Sequence, residues 1–411
     1  MFNFLKIIDK LHIIPSMMKK IYSSICFVSH MVKPPLFPKV EGKTSRQAHT
    51  NLPEGTIELE RGRKGFFGRV SHLYKTNAPT AWTDIKGDLK PRSFNFDKIK
   101  TKDLSDKNEI YTTLMYNSEC RVSISRRTSE MPYYFRNSDG DETIFIHEGR
   151  GMMESDYGNF EYEEGDYIVI PRGTSYRLIP YNESNFYLFI EATDSVFEFP
   201  ERGMLGPNAQ IDPAMIETPK IPEVISRENE EWEIKIKRWN KLTSVFYPHN
   251  PVQDTIGWQG TNIPMKFSIN DFKAVSSEKY HLPPSVHTTL TAPSFVICSF
   301  VPRPLEDISV LRIPFYHSNI EFDEVIFYHD GEFFSRHGLD KASITYHPGG
   351  IEHGPQPEAF EKVQKNSNIK RTNEKAVMID SRKPLLFTDE ALVSENNDYW
   401  RSWKEIAKPH I

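Results

Sequence analysis

The sequence predicts a mainly β chain made of two similar β-barrels that arose by internal duplication. Two observations carry this. The middle and the last third of the chain are filled with short runs rich in Val, Ile, Tyr, Phe and Thr, bounded by Gly, Asn and Asp. A spaced set of residues in the first group of runs then recurs in the second. The balance of 29 prolines to 21 glycines, with 12% aromatics over 411 residues, suits many short strands and punctuated loops better than a helical bundle.

In chain order, residues 1–33 are apolar and basic, but Lys6, Asp9, Lys10, His12, Lys19 and Lys20 interrupt every apolar stretch. That pattern suits neither a membrane span nor a clean secretory signal, and it reads as a disordered leader or an upstream start ahead of Met31. Residues 34–109 read as an N-terminal extended or β segment marked by Pro and Gly. Residues 110–200 hold IYTTLMYN, CRVSISRR, ETIFIHEG, DYIVIPRG and NFYLFIEA, a first barrel. Residues 201–266 begin proline-rich and then turn charged, as a connecting excursion would. Residues 267–411 resume with FVICSFVPRP, VIFYHDGEFF, ASITYHPGG and KAVMIDS, a second barrel, and close on a helix over about 389–407.

The repeat links the two blocks. Glu142 is followed seven residues later by Gly149, and Pro171, Gly173 and Tyr176 give P-x-G-x-x-Y; Glu324 is followed by Gly331, and Pro348, Gly350 and His353 give P-x-G-x-x-H. Seven and five residues before each Glu stand Phe135 and Asn137 in the first copy, and His317 and Asn319 in the second. Both copies follow the two-part pattern of a cupin barrel, so the expected architecture is a bicupin of two jelly-roll barrels.

Only the second copy keeps metal-ligand residue types. His317 and Glu324 are seven apart, which on one continuous strand would send them to opposite faces. A turn within SNIEFD brings both to the barrel interior, where His353 arrives after a glycine turn. Two imidazoles and one carboxylate on one face leave open coordination positions, the arrangement of non-haem Fe(II) oxygenases. The competing reading is a set of ordinary interior polar residues in a barrel that has lost its metal. The first copy shows such a loss, with Phe135 and Tyr176 beside Glu142. His281 and His347 are the candidate general acids or bases, or satisfied loop histidines. His287, His329 and His337 read as structural or exposed.

The net charge of −5 excludes a strongly basic nucleic-acid surface as the main theme. Cys26, Cys120 and Cys298 are isolated in sequence, which argues against a disulfide scaffold or a zinc ribbon and for a reducing, cytoplasmic setting.

GWQGTNIPMKFSIND, YHLPPSVHTTLTAPS, PFYHSN and EHGPQPEAFE occur in the order and approximate spacing of the homogentisate 1,2-dioxygenase family, and FRNSDGDETIF and FEFPERGMLGPNA resemble its first half. The resemblance covers about residues 50–405. It implies one Fe(II), dioxygen and a small aromatic acid, cleavage of the homogentisate ring to maleylacetoacetate in tyrosine and phenylalanine catabolism, and a homo-trimer or hexamer. On that resemblance His317, Glu324 and His353 match the iron ligands, His281 a proton-accepting histidine, and His347 a histidine close to the iron. Tyr316, Phe333 and His353 are the candidate substrate contacts. The chain departs from the family pattern at Ser318, where Arg is common, at Phe333, where Tyr is expected, and in the length of the run between His317 and Glu324. These departures bear on the substrate, and a related hydroquinone or gentisate-like acid is the alternative. An isomerase-type or non-catalytic bicupin stays open beside it.

Overall fold

The computed structural model describes residues 39–406, apart from 66–68, 224–229, 334, 335 and 337. The expected leader, Cys26 and His337 lie outside the described residues. The chain enters through β1 (Ile57–Gly62), β2 (Val70–Lys75) and β3 (Arg92–Asn95), then the short helix α1 (Lys102–Ser105). A first set of strands follows: β4 (Thr112–Tyr116), β5 (Cys120–Ser125), β6 (Tyr134–Asn137), β7 (Gly140–Glu148), β8 (Gly151–Ser155), β9 (Gly158–Tyr162), β10 (Asp166–Ile170), β11 (Ser175–Pro180) and β12 (Phe186–Thr193). A hairpin, β13 (Trp232–Arg238) and β14 (Lys241–Tyr247), and β15 (Met265–Ser268) lead to the second set. That set is β16 (Thr288–Thr291), β17 (Phe295–Phe300), β18 (Tyr316–Asn319), β19 (Asp323–Asp330), β20 (Ser343–His347), α2 (Pro357–Lys365), β21 (Lys375–Ser381), β22 (Leu386–Phe387) and α3 (Asp389–Leu392).

The first barrel pairs a seven-stranded sheet, β15-β10-β7-β12-β5-β4-β22, with a six-stranded one, β14-β13-β6-β11-β8-β9. The second uses the six-stranded sheet β16-β17-β21-β19-β20-β3 and the three-stranded sheet β18-β1-β2. The bicupin expectation holds, but the division of the chain into segments does not follow the barrels. β1, β2 and β3, from the N-terminal segment, complete the second barrel, and the hairpin β13–β14 of the connecting segment extends the first through a parallel pairing with β6. Near the C-terminus β22 returns to pair with β4. Edge strands of one barrel are thus covered by distant parts of the chain. Sequence periodicity cannot show this, because it reports a strand's faces and not its neighbours.

Strand alternation explains the packing. Ile144 and Ile146 point into the first barrel with Phe135, Tyr176 and Phe189, whereas Phe145 points the other way. There it joins Tyr167, Leu188 and Ile190 against Val325, Phe327, Val377 and Ile379 of the second barrel, forming the largest core cluster. Central strands are therefore buried on both faces, which is why the middles of β7 (Ile144–Ile146) and β19 (Val325–Tyr328) read as unbroken apolar runs rather than as alternating ones. His147 and His329, one from each barrel, meet in this layer with their Nδ1 atoms 2.8 Å apart. His329 is accordingly buried and structural, as one of its two sequence readings had it.

The predicted C-terminal helix is divided into α3 and a 3-10 helix, Tyr399–Ile406. Between them residues 394–396 bridge to β3: Asn95 N donates to Ser394 O and Asn396 N to Ser93 O. Backbone groups used in that way cannot also close helical turns.

The glycines of the repeat divide by cause. Gly149 and Gly331 both have positive φ, +101° and +90°, and a Cβ on either would lie 2.1 Å from a neighbouring oxygen, Asn185 Oδ1 or the Asn373 carbonyl. Gly173 and Gly350 have positive φ with open space around them. We expect Gly350→Ala to cost only backbone strain, roughly 1–3 kcal/mol. Gly331→Ala must also move the Asn373 backbone, so thermal denaturation should show the larger loss for Gly331→Ala.

Candidate metal centre

The turn at residues 320–322 separates β18 from β19, so His317 and Glu324 lie on different strands, as the spacing requires. His353 reaches the same point through an isolated bridge: His317 N donates to His353 O and His353 N to His317 O, both at 2.8 Å. The two imidazole centroids are 4.2 Å apart.

Local backbone carbonyls fix both rings. His317 Nδ1 lies 3.0 Å from Phe315 O and His353 Nδ1 lies 3.3 Å from Ile351 O. A carbonyl only accepts, so each Nδ1 carries the proton and each Nε2 presents a lone pair. Both Nε2 atoms face Glu324 Oε2, at 3.7 and 3.8 Å. Glu324 Oε1 is taken by His347 Nδ1–H at 2.7 Å, and Tyr399 OH lies 3.4 Å from His347 Nε2. Three acceptor atoms therefore converge in a buried place, and His353 Nε2 has no aligned hydrogen-bond partner. Acceptors so placed are satisfied by a cation. A divalent metal with bonds of about 2.1 Å holds its donors roughly 3.0–3.4 Å apart, a small closure from the separations here. The residues fit a metal.

The protonation states agree. Burial pushes the Glu324 carboxyl up, but hydrogen bonds to His317, His347 and His353 outweigh it and hold it well below the usual carboxylate range. Burial and the neighbouring His317 lower His353, and burial takes His347 down to about 3. Burial also pushes His317 down, but the Glu324 carboxylate outweighs it and the net direction is upward. Asp380, the cross-strand partner of Glu324 on β21, is pushed up by burial and by the Glu324 charge.

A cavity opens on one side of these three residues, walled by His281, His287, Phe315, Tyr328, Arg303, Glu306, Arg336 and Glu374 together with His317 and Glu324. Of the other sequence candidates, His281 reaches this wall. Its Nδ1 lies 2.9 Å from Leu311 O and 3.3 Å from Glu306 Oε1, so its Nε2 is left as the basic atom. His347 and His353 are fully buried and lie off the cavity wall. Tyr316, at the start of β18, alternates with Phe315 before it and His317 after it and so faces away, against Phe360 and Gly354. Phe333 is half-buried with its ring 4.7 Å from that of Tyr328, and is not on the wall. Sequence reasoning missed Arg303, Glu306, Arg336, Glu374 and His287. Only the i, i+3 pair Arg303–Glu306, 2.8 Å apart, left a local trace; the others meet through the fold.

The same positions in the first barrel are closed by protein groups. Tyr176 OH and Tyr111 OH donate to Glu142, at 3.0 and 3.3 Å, Phe135 packs on Tyr176, and Lys237 of the added hairpin lies 2.5 Å from Glu191 and 3.2 Å from Asp139.

Comparison with known proteins gives the family. The description homogentisate 1,2-dioxygenase N-terminal matches residues 115–269, and homogentisate 1,2-dioxygenase C-terminal matches residues 269–410. This chain belongs to the homogentisate 1,2-dioxygenase family. It is a dioxygenase of that family, and its relatives differ in how fully it spans them. A protein of Saccharolobus solfataricus, named provisionally as a dioxygenase, is 32% identical over 382 residues, covering 88% of this chain and 98% of its own length. Homogentisate 1,2-dioxygenases of Bradyrhizobium diazoefficiens and Nitrobacter hamburgensis are 29% and 30% identical, over 68% of this chain. The chain spans 64% of the length of each of those two enzymes.

Two outcomes follow. His347→Ala removes the donor that orients Glu324, and should weaken Fe(II) or Zn(II) binding about 10–100-fold in a competition titration; His347→Gln, which keeps an N–H, should recover part of it. Burial, then Glu191, push the Glu142 carboxyl up to about 7 from its ordinary 4.5. The folded state thus holds that proton more tightly than the unfolded chain, and the associated stability is complete below pH 4.5 and lost as pH rises through about 7. Glu142→Gln should flatten this loss, worth up to roughly 3 kcal/mol, in melting curves taken across that interval.

Proposed function

We propose that the chain is an Fe(II)-dependent ring-cleaving dioxygenase whose substrate is homogentisate or a closely related hydroquinone acid, with maleylacetoacetate the product from homogentisate. The observation that carries this is the convergence of His317 Nε2, His353 Nε2 and Glu324 Oε2 beside a cavity with an acid–base group and the buried guanidinium of Arg336 on its wall. Iron bound by His317, Glu324 and His353 would supply open coordination positions for the phenolic oxygen and dioxygen, and the redox couple that activates dioxygen.

The rest falls to the chain's own residues. His281 is lowered by burial and therefore neutral, with Nδ1–H tied to Leu311 O; its Nε2 accepts the phenolic proton as the substrate enters. Arg336, buried on the cavity wall, suits the substrate's carboxylate arm. His347 acts through Glu324 and is a positioning residue. Phe315 and Ile326 give the cavity apolar surface against the ring and help to exclude water. Phe333 and Tyr316 lie off the wall, so we assign them supporting packing. A cytoplasmic trimer or hexamer is part of this proposal by analogy with the family. Among the described residues no helix is long and apolar enough to cross a membrane.

The test is oxygen consumption by Fe(II)-loaded protein with homogentisate, beside gentisate and His353→Ala. The proposal expects stoichiometric uptake with a ring-opened product, lost in the variant. Uptake with gentisate alone would move the substrate and keep the reaction class; iron-loaded protein that consumes no oxygen with either acid would sink the proposal.

A further inference from the structure

A second cluster of histidines and carboxylates lies outside the cavity, behind the wall formed by Phe315 and His281. Glu58 and Glu60 point to the same side of β1, two residues apart. His72 is the cross-strand partner of Glu60 on β2, and His49 comes from the segment that bridges to residues 309–311. The His49 ring stacks on Phe315 at 4.1 Å and lies 6.2 Å from His281. Glu60 is the register partner of His317 on β18.

The cluster repeats the logic of the first centre. Glu58, 1% exposed, serves the far side of both imidazoles: Oε2 lies 2.9 Å from His49 Nδ1 and Oε1 lies 3.0 Å from His72 Nδ1. Oε1 and His72 Nδ1 are in contact without hydrogen-bond alignment, so this buried carboxylate oxygen has no aligned donor. A carboxylate on Nδ1 keeps the proton there and turns Nε2 into a ligand, the usual outer arrangement behind metal-bound histidine. Both Nε2 atoms then face one oxygen, Glu60 Oε2, at 3.2 Å for His49 and 3.8 Å for His72. The His72 separation equals that of His353 at the first centre, and the His49 one is shorter, at hydrogen-bond distance, so a metal here would take the place of the proton between His49 Nε2 and Glu60.

We propose that His49, His72 and Glu60 bind a second divalent first-row transition metal, oriented by Glu58. Two imidazoles and one carboxylate suit zinc, with water completing the set. Such an ion would fasten the β1–β2 hairpin and the His49 segment to β18, the strand that carries His317, and so brace the cavity wall from behind. Its role is structural: none of its ligands lies on the cavity wall.

The probe is Zn(II). Full-length protein is stripped with chelator, dialysed against Zn(II), and metal per chain is measured by mass spectrometry. The proposal expects two equivalents in wild type, one in His353→Ala, one in Glu60→Gln, and none in the double variant. Glu60→Gln is close to isosteric, and its retained equivalent at the first centre reports that it has folded. A wild type holding one equivalent that His353→Ala removes would overturn this proposal and leave the first centre intact. One equivalent kept in His353→Ala but lost in Glu60→Gln would support the second site and contradict the first. An equivalent that survives in the double variant would be adventitious and would overturn the assignment.

Discussion

The structure depends on a constraint of proton placement: the carbonyls of Phe315 and Ile351 each take the Nδ1 proton of a nearby histidine, and His347 donates to one oxygen of Glu324. Those three hydrogen bonds leave three lone-pair atoms facing one another in a buried place beside the cavity. A cation received among them would turn this convergence into an open-faced coordination site. The elements around it serve that convergence. The β18–β19 turn brings Glu324 beside His317, and the open turn at Gly350 and the bridge to His317 bring His353 to the same point.

The two barrels show how one framework supports different interiors. Their sheets pack face to face through Phe145, Leu188, Val325 and Phe327, so changes inside one barrel need not disturb the other. In the first barrel Tyr176 and Tyr111 satisfy Glu142, and the hairpin that brings Lys237 adds an internal cation beside Glu191. That interior is saturated by protein groups. The second barrel keeps a cavity at the corresponding place.

Much of this was legible in sequence because it rests on spacing. Strand runs and the twice-used pattern of Glu, Gly and Pro-x-Gly specify two barrels, and His317, Glu324 and His353 follow from the ligand positions. The odd separation of His317 and Glu324 even requires the turn that separates their strands. Features that depend on long-range neighbours were not legible. Pairing of β1 with β18 and of β3 with β20 leaves no periodic trace, and the same pairing hides the His49–Glu58–Glu60–His72 cluster. Arg336 and Glu374 reach the cavity from loop and strand-end positions where charged residues are ordinarily solvated. Tyr316 is a candidate by adjacency, but strand alternation turns it away from the site.

The most direct measurement of the central claim is anomalous X-ray diffraction at the iron edge from crystals of the Fe(II)-loaded protein. The account predicts a peak within about 2.3 Å of His317 Nε2, His353 Nε2 and a Glu324 oxygen, with His347 hydrogen-bonded to Glu324 and outside the coordination sphere. A peak ligated by His347, or no peak among these residues in iron-bearing protein, would contradict it.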